Sequence, residues 1–264
     1  MIPYNKVARL FEEQAKDIDF YQNSEVLSIK ASLEELLDNN RKQLVFLVGE
    51  PGVGKSAFLN NFDTLFASKY DIIKFDMPFF EPVDFIKTLI LKSQQEVKEF
   101  HLEGLIQQVI EIYKDAHYIV LMDEAQLLSN QMIEVIRILA DSKAFWFILA
   151  MHKHESKKIL QAPQFATRPH KVLELGVLQK HEYESFIYAQ LTKVEKQYLA
   201  QELVDKYLKS IYTLTHGNFR NLKKLLFHLF LLLHFAHEHK KIKYQKLSKC
   251  LLLMSAIDGG IIDA

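Results

Sequence analysis

The sequence predicts a doubly wound α/β domain, built on a five-stranded parallel sheet with helices on both faces, followed by a small all-α domain. Two observations support this prediction. Short runs of β-branched or aromatic residues alternate with helix-like segments up to about residue 177, and this alternation is typical of parallel α/β folds. After that point only helical patterns follow. We therefore expect an α/β domain over residues 1–177 and a helical lid domain over residues 178–264.

Five segments have the length and the residue types of strands. Three of them are nearly continuous apolar runs, as expected for strands that are buried on both faces of a parallel sheet. The predicted strands are residues 44–48, 72–76, 118–122, 145–150 and 172–175. The predicted helices are residues 25–39, 55–66, 81–97 and 130–141 in the first domain, and 179–191, 196–212, 218–239 and 244–256 in the second.

The composition is that of a folded globular protein. Of the 264 residues, 49% are hydrophobic, which is enough for a sizeable core and too many for a disordered chain. The single cysteine, Cys250, excludes an internal disulfide framework. The most apolar stretch, residues 225–236, is interrupted by two histidines, and it is shorter than the roughly 20 residues that a bilayer core requires. We expect no membrane span, no secretory signal and a cytoplasmic protein.

The net charge is zero, because 33 basic residues balance 33 acidic ones. This total is an average over two unlike parts. Residues 206–249 contain ten Lys or Arg and one acidic residue, Glu238, a local balance of 10 − 1 = +9. Charged runs on helices are most often solvated faces, but a basic lid is also where DNA or an anionic lipid surface would bind. Neutrality therefore does not exclude a polyanionic partner.

Residues 49–56 have the sequence of a phosphate-binding loop, directly between a predicted strand and a predicted helix. Glycines allow consecutive backbone N–H groups to point at a phosphate, and the N-terminus of the following helix adds its positive dipole. We expect Lys55 to reach the β- and γ-phosphates of ATP and the Ser56 hydroxyl to bind Mg²⁺. The predicted nucleotide-binding residues are Gly49, Glu50, Pro51, Gly52, Val53, Gly54, Lys55, Ser56 and Ala57.

Two acidic residues follow the third predicted strand. Asp123 stands where a carboxylate beside the phosphate loop binds Mg²⁺, and Glu124 stands where a general base activates the attacking water. An Asp-Glu pair also opens many helices as a solvated cap, but its combination with residues 49–56 favours the catalytic interpretation. The histidine pairs 152/154 and 237/239 lack the spacing of a zinc site.

Together these motifs resemble the AAA+ ATPases. The segment Asp-Ile-Asp-Phe-Tyr at residues 17–21 is similar to the lead-in of the ExeA/GspA ATPases of the general secretion pathway. Asp-Glu-Ala-Gln at residues 123–126 is similar to a signature that this group shares with the transposition ATPases TniB and MuB. ExeA-type proteins usually continue into a transmembrane helix, whereas this chain stops at Ala264, and the stretch before Leu44 leaves little room for a MuB-type DNA-binding segment.

The resemblance implies roles for three further residues. Arg168 matches the position of an arginine finger, which would reach the γ-phosphate bound to a neighbouring subunit. Arg220 matches the second sensor, which contacts the phosphates within its own subunit. His152 follows the fourth predicted strand, where the first sensor stands, although His is not the usual residue there. For Arg168 and Arg220, the alternative interpretation is an exposed cation.

Three functions are compatible with these patterns. The first is an ATPase that drives assembly or remodelling of a secretion, pilus or DNA-uptake apparatus, with envelope proteins as partners and contact with the inner membrane from the cytoplasmic side. The second is a DNA-binding ATPase of the transposition or initiator type, with the basic lid on DNA. The third is a nucleotide-gated scaffold with little turnover. All three imply ATP and Mg²⁺ as cofactors and an ATP-dependent homo-oligomer, and the absence of an obvious added DNA-binding segment favours the first.

Overall fold

The fold is that of the expected parallel sheet surrounded by helices. We describe a computed structural model, which covers residues 3–12, 20–38, 44–75, 77–115, 117–161 and 170–263. The five strands are β1 (Leu44–Gly49), β2 (Asp71–Phe75), β3 (Tyr118–Met122), β4 (Phe145–His152) and β5 (His170–Glu174). They lie in the order β2-β3-β4-β1-β5, and every neighbouring pair is parallel. The chain divides into two compact units, a sheet unit (residues 24–51 and 55–175) and a helical unit (residues 1–23, 52–54 and 176–264).

The helices of the sheet unit connect and cover the strands. They are α2 (Ser24–Asp38), α3 (Lys55–Asn60), α4 (Phe62–Leu65), α5 (Pro82–Lys92), α6 (Leu102–Tyr113), α7 (Asn130–Asp141) and α8 (Lys153–Leu160). Because side chains alternate along a strand, Phe46 and Val48 join the core formed with α5, α6 and α7, while Val45 and Leu47 are buried on the opposite face. This burial on both faces explains the continuous apolar runs in the sequence.

The start of α7 is fixed by a side-chain cap. Ser129 is extended, and its Oγ accepts a hydrogen bond from the Met132 N–H at 3.2 Å. This bond satisfies one of the N–H groups that a helix N-terminus leaves without a partner. The cap directs the apolar face of the helix onto the sheet, where Met132 and Ile136 are fully buried.

Replacing Ser129 with alanine should lower the free energy of unfolding by about 1 kcal/mol, the usual cost of losing such a cap. Ser129→Asp should stay close to the parent, because aspartate caps equally well. Urea unfolding can be followed by the fluorescence of Trp146, the single tryptophan, which is buried on β4. An alanine variant as stable as the parent would contradict the assigned role of the cap.

The helical unit has its own apolar core. Its C-terminal helices are α9 (Lys180–Thr192), α10 (Gln197–Glu202), α11 (Leu208–Thr215), α12 (Phe219–Glu238) and α13 (Lys249–Asp258), with a π-helical turn at Leu203–Tyr207 and a 3₁₀ turn at Ile242–Tyr244. An N-terminal helix, α1 (Tyr4–Arg9), belongs to the same unit. Phe11, just beyond α1, stacks on Phe230 of α12 with ring centroids 5.6 Å apart.

One polar contact lies inside this core. The hydroxyls of Tyr183 and Thr215 are 2.8 Å apart, and both residues are fully buried. Burial raises the pKa of the Tyr183 phenol, because the ionised form would lose its hydration. Tyr183 therefore acts as a neutral structural link between α9 and the end of α11.

Several predicted boundaries are wrong by a few residues. The helix expected over 81–97 ends at Lys92, the one over 55–66 is broken at Asn61, and the one over 244–256 begins only at Lys249. The strand expected over 172–175 runs from His170 to Glu174. By contrast, the predicted bounds of β3 and α7 are confirmed to the residue.

Residues 225–236 lie within α12, which has buried residues along its length. Among the helices in the described ranges, none is both long enough and apolar enough to cross a membrane.

Candidate nucleotide-binding site

The sheet topology brings the predicted motifs to one edge. All five strands are parallel, so their C-terminal ends meet at the same edge of the sheet, which is where ligands bind in open α/β folds. β4 lies between β1 and β3, and the last residue of β1, Gly49, is in register with His152. The phosphate loop after β1 and the acidic pair after β3 therefore flank the end of β4.

The phosphate loop has the backbone conformation that its glycines predict. Gly52 and Gly54 have φ angles of +82° and +115°, values that L side chains rarely adopt. Between them Val53 is buried, whereas Pro51 is exposed. These glycines let the loop turn sharply before α3, so that its backbone can curve around a phosphate.

Lys55 is held in place at the start of α3. It is buried, with 7% of its surface exposed. Its Nζ donates hydrogen bonds to the carbonyl oxygens of Gly49 at 2.8 Å and Glu50 at 3.0 Å. The ammonium group is thus positioned against the loop by backbone acceptors. Of the other predicted ligands, Ser56 is exposed and Ala57 is half-buried.

The acidic pair follows β3 in a tight turn. The Asp123 N–H donates to the carbonyl of Phe75 at 3.3 Å, which extends the pairing of β3 with β2 by one residue. Asp123 Oδ1 accepts from the Glu124 N–H at 2.9 Å. Glu124 has a φ of +51°, a left-handed conformation that is unfavourable for a residue with a side chain. Strain of this kind is found at functional sites more often than elsewhere.

A hydrogen-bonded cluster surrounds the Glu124 carboxylate. Gln126 donates its side-chain amide to Glu124 Oε2. The Gln126 side-chain oxygen accepts from the His152 N–H at 3.3 Å. The His152 ring lies between two carboxylates, with Nε2 3.8 Å from Glu124 Oε2 and Nδ1 3.9 Å from Glu155 Oε2. Gln126 therefore links the end of β3 to the end of β4 and orients Glu124.

Sequence reasoning used Gln126 only as part of a signature and did not assign it a contact. The signal was present, since a side-chain amide two residues after a carboxylate can reach that carboxylate when the chain turns. Glu155 was not singled out either. A neighbouring cation, Lys153, pairs with Glu174, and this hydrogen bond raises the pKa of the Lys153 ammonium group.

Within the helical unit, the turn of the phosphate loop contacts the start of α12. The Arg220 N–H donates to the Gly52 carbonyl at 3.0 Å. Asn218 caps α12 through a side-chain hydrogen bond from the Asn221 N–H at 3.1 Å. Arg220 itself is exposed. The predicted finger, Arg168, lies outside the described residues.

Gly52→Ala should lower the free energy of unfolding by more than the conformational cost of a positive φ at a residue with a side chain. An added Cβ would lie 2.7 Å from Asn218 Oδ1 and 2.9 Å from Arg220 Cβ. The strain of the conformation costs about 1–2 kcal/mol, and the displaced loop should also weaken nucleotide binding. Thermal unfolding and titration with a fluorescent ATP analogue measure the two effects.

Gly260→Ala is the matched control for this prediction. Gly260 also has a positive φ, of +60°, but no atom lies within 4 Å of the place that an added Cβ would take. We expect it to show the conformational cost without the clash. Equal effects of the two substitutions would contradict the proposed close approach at Gly52.

The residues present fit a magnesium nucleotide. Gly52 and Gly54 have positive φ angles, so the loop backbone can curve around a phosphate, and the buried Lys55 places a cation beside that loop. Among the described residues, no group of three or more His, Cys, Asp or Glu side chains could hold a metal ion unaided. Mg²⁺ typically binds one or two carboxylates together with the phosphates of the nucleotide, and Asp123 offers a carboxylate at this edge of the sheet.

Comparison with known proteins agrees with this geometry. Residues 38–160 match the family model of an AAA domain. No curated protein matches the chain in sequence.

Solved structures share the fold at low identity. Cdc6p from Pyrobaculum aerophilum has a TM-score of 0.64 and 14% identity, over 88% of this chain and 66% of that one. The ORC2 protein of Aeropyrum pernix, solved as ADPNP-ADP complexes, has a TM-score of 0.62 and 12% identity, over 95% and 71%. The Aeropyrum pernix ORC1 protein in complex with DNA has a TM-score of 0.62 and 10% identity, over 95% and 69%.

This chain thus spans about two thirds of the length of these three proteins. The sheet order, the phosphate loop and the AAA-domain match over residues 38–160 together show that the chain has the AAA+ P-loop fold, with a helical C-terminal part.

Proposed function

We propose that this protein binds and hydrolyses ATP. The observation that carries the proposal is the position of the Glu124 carboxylate, which follows β3, two strands away from β1 and its phosphate loop. Gln126 donates a hydrogen bond to this carboxylate, and the His152 ring lies 3.8 Å from it. Hydrolysis requires a base near the γ-phosphate as well as a phosphate cradle. A fold that only bound nucleotide would have no need for a strained, oriented carboxylate at this place.

Each residue of the site has a distinct role in the proposed reaction. The loop backbone from Gly49 to Gly54 and the N-terminus of α3 bind the β- and γ-phosphates. Lys55 exchanges its bonds to the loop carbonyls for bonds to the phosphate oxygens and stabilises the charge that develops there. Glu124 orients a water molecule for in-line attack and accepts its proton.

Ser56 and Asp123 are the proposed magnesium ligands. When bound, Mg²⁺ neutralises charge on the β- and γ-phosphates. The Asp123 carboxylate already accepts one hydrogen bond, from the Glu124 N–H through Oδ1. That bond fixes the carboxylate beside Glu124 and leaves Oδ2 to act as a ligand.

Three further residues are assigned roles from the resemblance, two of them with support from their positions in the structure. Arg220 is proposed as the second sensor, which binds phosphate; the bond from its N–H to Gly52 supports this role. His152 is proposed as the first sensor, in view of its register with Gly49 and its distance to Glu124. Arg168 stays a predicted finger, which makes an ATP-dependent oligomer part of the proposal.

Two processes are candidates for the work that ATP hydrolysis drives. The Asp-Glu-Ala-Gln sequence supports an assembly ATPase of a secretion, pilus or DNA-uptake apparatus, although the transposition ATPases share that signature. The second candidate is a DNA-linked ATPase, which the DNA complex of a structural neighbour and the +9 charge of residues 206–249 favour. We propose the first, with residues 1–177 as the nucleotide-binding domain and residues 178–264 as the helical lid domain.

Steady-state ATP hydrolysis, measured with and without duplex DNA and alongside sizing in ATP and ADP, tests this proposal. Turnover that requires Mg²⁺ and proceeds without DNA supports an ATPase of the assembly type. Strong stimulation by DNA favours the second candidate. Tight ATP binding with negligible turnover under all conditions would identify a nucleotide-gated scaffold instead and would refute the proposed hydrolysis.

A further inference from the structure

The connection between α12 and α13 is strongly basic. Residues 240–249, which we name the basic loop, contain five lysines and no acidic residue. All five lysines are exposed. In the part of the chain that the structure describes, no acidic side chain forms an ion pair with any of them. They are Lys240, Lys241, Lys243, Lys246 and Lys249.

The basic loop is tied to the helical core by hydrogen bonds. The Lys241 N–H donates to the Ala236 carbonyl at 2.8 Å, and the Gln245 side chain donates to the same carbonyl at 3.2 Å. The Tyr207 hydroxyl donates to the carbonyl of Leu247, whose side chain is buried. These hydrogen bonds fix the backbone that carries the lysines.

Apolar side chains are exposed among and beside these lysines. Ile242 stands between two lysines and is 82% exposed. On the outward face of α13, Leu253 and Ile257 are also exposed and follow Lys249 at intervals of four residues, so the three share one face of the helix. A surface that combines lysines with large exposed apolar groups needs a partner that offers both negative charge and an apolar phase.

We propose that the basic loop and the outward face of α13 dock on an anionic lipid bilayer. Lysine ammonium groups would bind the headgroups, and Ile242 and the α13 side chains would enter the boundary of the acyl layer. Duplex DNA fits this surface less well, since it offers little apolar surface for these side chains. The basic loop also contains no arginine, the residue best suited to bidentate phosphate recognition.

Vesicle binding by the full chain tests the proposal. The probes are vesicles of phosphatidylcholine with about a quarter phosphatidylglycerol and vesicles of pure phosphatidylcholine. Lys241→Gln combined with Lys243→Gln should weaken binding to the anionic vesicles about 30-fold, from about fivefold for each lysine near such a surface. Ile242→Ser should weaken binding about tenfold or more through the lost apolar contact.

A charge-matched control is available in the sheet unit. Lys87→Gln combined with Lys98→Gln removes two exposed lysines there and should change binding about twofold or less. Thermal unfolding will show that each variant keeps its fold. A fluorophore on Cys250, the single cysteine, which is exposed on the first turn of α13, should shift to the blue with anionic vesicles only.

Four outcomes would overturn the proposal. These are absence of binding to anionic vesicles, an equal loss in the control variant, and binding of duplex DNA through the same lysines without vesicle binding. The fourth is a dimer that Leu253→Ser dissociates, which would assign the apolar face to a second copy of the chain. Glu124→Gln should bind vesicles like the parent, so membrane docking and ATP hydrolysis can fail separately.

Discussion

Replacing Glu124 with glutamine should lower the rate of ATP hydrolysis by about 100- to 10,000-fold, the usual contribution of a general base. The variant is nearly isosteric, and its backbone keeps the same left-handed conformation, so the turn should be preserved. Because Gln126 donates to Glu124 Oε2, the amide oxygen of the new glutamine can accept the same bond. Affinity for ATP should therefore change about threefold or less. Single-turnover hydrolysis and equilibrium nucleotide binding measure the two quantities separately.

Glu155→Gln is the control for this prediction. The Glu155 carboxylate lies on the other side of the His152 ring, 3.9 Å from Nδ1. The substitution therefore removes one negative charge close to the one that Glu124→Gln removes. We expect hydrolysis within about threefold of the parent. If Glu124→Gln hydrolysed ATP at the parental rate, Glu124 would not be the base.

Replacing Lys55 with alanine should weaken ATP binding by about 100-fold and abolish measurable hydrolysis. Charged hydrogen bonds to phosphate are each worth about 1.5–3 kcal/mol, and Lys55 is the buried cation of the loop. The substitution also removes the bonds to the carbonyls of Gly49 and Glu50. Titration with a fluorescent ATP analogue and steady-state turnover are the measurements.

Lys153→Ala is the matched control. This lysine follows His152 directly, but its side chain is 43% exposed and is paired with Glu174. Its removal should change ATP affinity about twofold or less, because solvent screens exposed charges. Similar losses in both variants would show that the general positive charge of this edge, and not Lys55, binds the phosphates.

Sequence patterns located the central strands well, because their signals are local. The strand β3 and the helix α7 have the predicted bounds. β3 is a short apolar run that ends at a charged pair, and α7 starts after a serine cap. Such signals act within a few residues, so tertiary contacts did not shift the predicted bounds of these two elements.

Other boundaries depend on packing. The residue types at positions 93–97 are compatible with a continued helix, yet α5 ends at Lys92. The Gln108 side chain donates to the Glu96 carbonyl at 2.7 Å and accepts from the Lys98 N–H at 3.1 Å. Those bonds hold the segment in a non-helical course. They come from a different helix, α6, so no pattern within 81–97 could reveal them.

The sequence alone determined the phosphate loop, the acidic pair after β3 and the alternation of strands with helices, since each depends on neighbouring residues. Only the tertiary structure placed Gln126 between Glu124 and His152, because that contact joins the ends of two strands. It also brought Phe11 onto Phe230 and so placed α1 in the helical unit. Contacts between such distant residues depend on how well the shapes and volumes of buried side chains fit together. The pattern of residue types along the chain does not contain that information.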